Sequence, residues 1–121
     1  MARSSKTLLN PIEFAILLAL ADEPRHGYGI VQEVERRSQG AVRLGPGTLY
    51  GAIKRMLAAG LLEEKAAVDP ADDPRRSSYY RLTRSGRAAA REQARQLADL
   101  VQAASAKGLV NLNALLARGG A

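Results

Sequence analysis

Cysteine and tryptophan are absent from the 121 residues. Without cysteine there is no disulfide framework, no thiolate zinc site and no cysteine nucleophile, and the chain fits a cytoplasmic protein. Histidine and phenylalanine occur once each. No base–nucleophile pattern surrounds His26, so no enzyme is expected. An aromatic pocket for a flat ligand also has little to build from. Long apolar runs are missing too: Phe14–Ala21 is far short of the roughly 20 residues that span a bilayer. The basic start, Met1–Lys6, leads directly into no apolar signal core. These absences leave one soluble domain with an appended helix, no cofactor, no metal and no membrane segment.

Acidic residues are scarce where basic ones are dense. The net charge is +6, and residues 75–95 account for all of it, with seven arginines (75, 76, 81, 84, 87, 91 and 95) against Glu92 alone. The other residues carry 11 basic and 11 acidic groups and balance. A field concentrated in this way suits a polyanion-binding surface. A solvated helix face that maintains solubility is the plainer alternative.

Asn10 before Pro11 is a helix start, an N-cap followed by proline at N1. Ile12–Ala21 is apolar nearly all round, which predicts a helix buried on several sides. A second helix is expected over Tyr28–Gln39, with Ile30, Val31 and Val34 inward and Glu33, Arg36 and Arg37 outward. A third is expected over Pro46–Ala59, stopped by Gly60 as a C-cap glycine. "LLEEKAAV" and "SSYYRLT" then predict two short strands around the loop "DPADDPRR", with one of Tyr79 and Tyr80 facing the core. Thr83 is the expected N-cap of a long helix, Arg84 to about Lys107, interrupted at Gly108. "LVNLNALLAR" supplies a further turn or two with Leu109, Leu112 and Leu116 on one side. Three helices followed by a ribbon is the order of a winged helix-turn-helix. The expected fold is therefore mainly α, with a two-stranded β wing and a long C-terminal dimerisation helix. The expected boundaries are 1–83 for the DNA-binding domain and 84–118 for the dimerisation helix.

The third helix raises a specific question, because glycine in a helix interior costs about 1 kcal/mol relative to alanine. At 100° per residue, Leu49, Ile53, Met56 and Leu57 share one side. Gly47, Gly51, Lys54, Arg55 and Ala58 lie opposite, with Thr48 beside Arg55 and Tyr50 at the border. Two glycines one turn apart would bare the outer face, so that the helix could sit deep in a major groove with cations on its flanks. The open N–H groups of its first turn could also hold a phosphate.

On these residues the chain resembles the PadR family of transcriptional regulators. The resemblance runs through "EFAILLALADEPRHGYGI", "GPGTLYGAIKRMLAAGLLE" and "YYRLTRSGRAA", covering most of residues 12–90. It implies a winged helix with a C-terminal dimerisation helix, and a DNA-binding repressor that a small molecule relieves in some members. It places Thr48, Tyr50, Lys54 and Arg55 on the recognition helix, and His26 and Tyr28 at the start of the second helix. The short region after Arg87 suits the small subtype with one main C-terminal helix.

The expected DNA-contacting set is His26, Tyr28, Gly47, Thr48, Tyr50, Gly51, Lys54, Arg55, Arg75, Arg76, Ser77 and Arg84. Arg75 and Arg76 would reach a phosphate or the minor groove, or else pair with Asp69, Asp72 and Asp73. Those three aspartates suit a loop better than a metal site. His26 could touch a phosphate, cap its helix or make a structural hydrogen bond. Arg84 and Arg87 would meet phosphate, whereas Arg91 and Arg95 would meet acids of a partner subunit. Ala90, Ala94, Leu97, Val101 and Ala104 recur at coiled-coil spacing and form the expected homodimer seam. The expected activity is operator binding by a homodimer reading a pseudo-palindromic site. An effector would act by changing the angle between its two DNA-binding units. The alternative is a winged-helix interaction module that binds an acidic protein.

Overall fold

Local capping chemistry sets the first boundaries. In the computed structural model, which describes residues 9–66 and 78–119, the first helix, α1, spans Pro11–Ala19. Its start is a reciprocal capping box. The Glu13 amide donates to Asn10 Oδ1 at 2.8 Å, and the Asn10 amide donates to Glu13 Oε1 at 3.2 Å. Two otherwise orphaned N–H groups are satisfied this way. Helix α2 spans Gly27–Arg37 and α3 spans Pro46–Ala58. Helix α3 ends as expected: Gly60 takes φ +78°, which favours the residue without a Cβ.

The three helices meet through Ile16, Leu17 and Leu20 of the α1 segment, Ile30 and Val34 of α2, and Leu49, Ala52, Ile53 and Met56 of α3. Helix α1 is buried on several sides, as expected: Ile16, Leu17 and Ala19 are buried, and Leu18 alone of residues 12–19 is exposed. One feature differs from the expected pattern: Glu33 is buried at 7% exposure rather than outward. Arg36 donates to both of its oxygens at 2.7–2.8 Å, Arg37 donates to Oε2 at 3.0 Å, and Arg25 stands 3.8 Å away. A carboxylate clasped in this way can leave water. The hydrogen bonds from Arg36 hold its pKa below the usual carboxylate value, against the opposing effect of burial.

Strands β1 (Leu62–Ala66) and β2 (Ser78–Leu82) pair antiparallel, with Leu62 opposite Leu82 and Glu64 opposite Tyr80. Leu62 and Tyr80 fasten this ribbon to the helical core. Tyr80 is thus the tyrosine that faces inward. Burial raises its phenol pKa, with smaller contributions from Glu64 and Tyr50. The free edge of β2 is met by Arg25: its amide donates to Tyr80 O at 3.1 Å and its carbonyl accepts from Tyr80 N at 2.9 Å.

Helix α4 covers Arg84–Ala106, and α5 covers Leu112–Gly119. Thr83 caps α4, its Oγ1 accepting from the Gly86 amide at 2.9 Å while donating to Gly60 O at 2.6 Å. The Thr83 amide donates to Leu61 O at 3.1 Å. Gly86 completes this junction, because a Cβ there would collide with the Leu61 carbonyl oxygen and lie 2.9 Å from its carbon. The chain divides into two compact units, one running to Ala90 and one from Arg91 onward, with the boundary inside α4. In the second unit, Gly108 turns the chain at φ +78°, and Asn111 Oδ1 accepts from the Ala114 amide at the start of α5.

Candidate nucleic-acid interface

Helix α3 buries Leu49, Ala52, Ile53 and Met56, and this choice determines what faces out. Gly47, Thr48, Tyr50, Lys54 and Arg55 are exposed, and Gly51 is half-buried. A Cβ at Gly47 would meet nothing within 4 Å. One at Gly51 would meet only Arg55 Nη1, at 3.7 Å. Packing therefore does not explain either glycine. Gly45 begins the helix without a side-chain cap, so the Gly47 and Thr48 amides remain open donors at its positive end. Helix α2 likewise starts at His26 with no side-chain cap, and Tyr28 stands exposed on its first turn.

The remaining expected residues separate into distinct settings. His26 neither caps its helix nor stands free: its Nδ1 lies 3.1 Å from Ser78 O, and its ring centroid lies 3.8 Å from that of Tyr79. A carbonyl only accepts, so Nδ1 carries the proton in this contact. Tyr50, 47% exposed, turns back over the start of α2. A Cβ at Gly27 would strike its hydroxyl and lie 3.0 Å from Cζ. Lys54 has no partner among the described residues. Arg55 is tied to α1, donating from Nε to Glu13 Oε2 at 3.2 Å. Arg84 is exposed. Arg75, Arg76, Ser77 and the three loop aspartates lie outside the described residues.

The arginine-rich segment is thus partly committed within the chain. Arg81 donates to Glu63 at 2.8 Å, and Arg95 pairs with Glu92 on its own helix. Arg87 donates to Ala21 O at 3.0 Å rather than standing free for phosphate. Together with Arg25, which donates to Ala19 O at 2.7 Å, it supplies positive charge at the C-terminal end of α1. That helix has no basic residue in its own last turn.

Of the seam residues, Ala90 is half-buried against the core of its own unit, and Ala104 is half-buried in the second unit. Ala94, Leu97 and Val101 are exposed, as is Leu100 at 66%. Leu109 and Leu116 are exposed as well. Sequence reasoning missed the contact of Glu13 with Arg55; the Asn-x-x-Glu spacing signals only the capping box that fixes Glu13 at the start of α1. Among the described residues, no three metal-ligating side chains converge and no helix is long and apolar enough to cross a membrane.

Comparison with known proteins agrees with this geometry. Over 91 residues the chain is 37% identical to a transcriptional regulator of Mycobacterium tuberculosis, Rv3488, covering 75% of this chain and 79% of that one. It is 40% identical, again over 91 residues, to a 37.1 kDa protein of a Streptomyces fradiae transposon, covering 75% of this chain. It spans only 24% of that larger relative. The fold matches that of Bacillus subtilis PadR in complex with operator DNA, with TM-score 0.58 and 19% identity, covering 73% of this chain and 47% of that one. The model of the transcriptional regulator PadR-like family matches residues 16–92. The chain is a winged-helix protein that belongs to the PadR-like family of transcriptional regulators.

Proposed function

We propose that the chain is a repressor that binds operator DNA as a two-fold homodimer. Helix α3 lies in the major groove, and the wing, with Arg75 and Arg76, grips the phosphate backbone. The observation that carries this reading is the outer face of α3: two glycines that packing does not require, open amides at its start, and a Lys54 with no partner among the described residues. A helix with little side-chain bulk approaches base edges closely, and cations on its flanks meet the phosphates. The operator complex of the B. subtilis relative supports the same use of the fold. Exposed Leu97, Leu100 and Val101 on α4 support a second copy as the partner of that helix. A dimer would place two copies of α3 on a site with matching symmetry. A small-molecule effector would act by changing the angle between the two DNA-binding units.

The test is sequence selection from a random duplex pool, on protein whose mass is measured by sedimentation. The expected result is a dimer that recovers a two-fold symmetric duplex. Lys54→Ala should weaken binding of that duplex by about tenfold while the dimer persists. Removing the charge at Arg75 or Arg76 should flatten the salt dependence. A monomeric chain, recovery of unrelated duplexes, or unchanged affinity in the Lys54 and wing variants would refute the assignment.

A further inference from the structure

We propose that Glu13, on α1, is a positioning residue for DNA recognition: it holds the Arg55 guanidinium over the bare surface at Gly51 and so sets its direction toward the duplex. The inference rests on the reading of α3 as the recognition helix. Two observations meet at one carboxylate, and a third at the guanidinium it holds. Glu13 Oε1 accepts from the Asn10 amide, closing the capping box. Glu13 Oε2 accepts from Arg55 Nε at 3.2 Å, across 42 residues of sequence. Arg55 Nη1 lies 3.7 Å from the place where a Cβ of Gly51 would stand.

A negative charge beside a polyanion-binding helix needs a reason. The capping box does not supply it, because glutamine closes the same box without charge. Stability supplies little: the Arg55 side chain is 59% exposed, so the ion pair is weak, and the first-turn position of Glu13 adds only a modest gain from the α1 dipole. Orientation supplies the reason. A guanidinium is a rigid plane with its donors in a fixed fork, so anchoring Nε fixes the plane and hence the directions of Nη1 and Nη2. Those terminal nitrogens have no other partner among the described residues, and Nη1 lies alongside the helix at Gly51. Arg55 is thus organised before DNA arrives, which reduces the ordering cost of binding. The neighbouring Lys54 has no partner among the described residues, as suits a cation that follows phosphate rather than one that reads a particular base pair.

The two possible roles of Glu13 predict opposite changes. If it contributes only charge, Glu13→Gln removes repulsion and strengthens binding to every duplex alike. If it positions Arg55, Glu13→Gln lowers discrimination. The experiment uses the duplex selected by the unaltered chain and a scrambled duplex of the same composition, with both dissociation constants measured by fluorescence anisotropy at one salt concentration. The ratio of the two constants should fall about tenfold in Arg55→Ala and about three- to tenfold in Glu13→Gln, and no further in the double variant than in Arg55→Ala. Arg55→Lys keeps the charge, loses the Nε contact and leaves α1 untouched; its ratio should fall as in Arg55→Ala. Equal strengthening on both duplexes in Glu13→Gln, a full additive loss in the double variant, or a retained ratio in Arg55→Lys overturns the role of Glu13 while leaving the recognition helix in place. A retained ratio in both Lys54→Ala and Arg55→Ala overturns the recognition helix itself, and this inference with it.

Discussion

Replacing Gly51 by alanine should make the protein more stable and worse at binding DNA. Gly51 lies in the interior of α3, and among the described residues the one atom near an added Cβ is Arg55 Nη1 at 3.7 Å, an ordinary contact distance. The substitution therefore gains helix propensity without a clash, about 1 kcal/mol. For a domain of this size that raises Tm by roughly 4–8 °C. The same methyl stands on the face proposed to enter the groove, beneath the guanidinium that Glu13 holds. It keeps the helix from its closest approach, and affinity for the selected duplex should fall by roughly tenfold, the scale of one lost base contact. Thermal unfolding followed by circular dichroism and anisotropy titration at fixed salt measure the two effects on one sample. A rise in Tm with unchanged affinity would refute the functional explanation of the glycine. A fall in Tm would refute the physical one.

At Gly86 the same substitution should act in the opposite direction. A Cβ there collides with backbone at Leu61 rather than with a movable side chain; overpacking should exceed the propensity gain by about 2 kcal/mol, lowering Tm by roughly 8–16 °C in the same thermal scan. Glu33→Gln should cost about 1–3 kcal/mol at neutral pH in urea unfolding, through loss of charged hydrogen bonds to a buried group. The Glu33 carboxyl is held below its ordinary pKa in the folded chain. Its contribution is therefore fully present above the ordinary carboxylate range and disappears as pH falls through the depressed value. The variant and the unaltered chain should converge in acid, once the pH has fallen below the depressed value; a constant gap would show that the arginine clasp is not the cause.

What could be read from the residues alone was local. Asn10 before Pro11, Gly60 after α3, and Thr83 ahead of α4 are start and stop signals whose partners lie within a few positions, and each terminus formed as expected. The inward side of α3 followed from helical spacing, because Leu49, Ile53 and Met56 have no other way to leave water together. What escaped depended on residues far apart in the chain. Glu33 looks like a surface residue on a helical wheel, and only the nearby Arg25 joining Arg36 and Arg37 shows how its charge is balanced. Arg55 looks free until α1 brings Glu13 to it. Gly86 and Gly27 look like ordinary glycines until Leu61 and Tyr50 arrive at their empty sides. Spacing along a helix tells which way a side chain leaves the axis; what it meets there depends on the crossing of helices.

The backbone pairing of Arg25 with Tyr80 has a consequence for assembly. A two-stranded ribbon ordinarily offers two open rims to any passing extended peptide. Here one rim is already occupied at its midpoint by the turn before α2, so a foreign strand could add only along Leu62–Ala66. That rim carries Glu63, Glu64 and Lys65 in succession, and a row of charged side chains is poor ground for fibrous self-association.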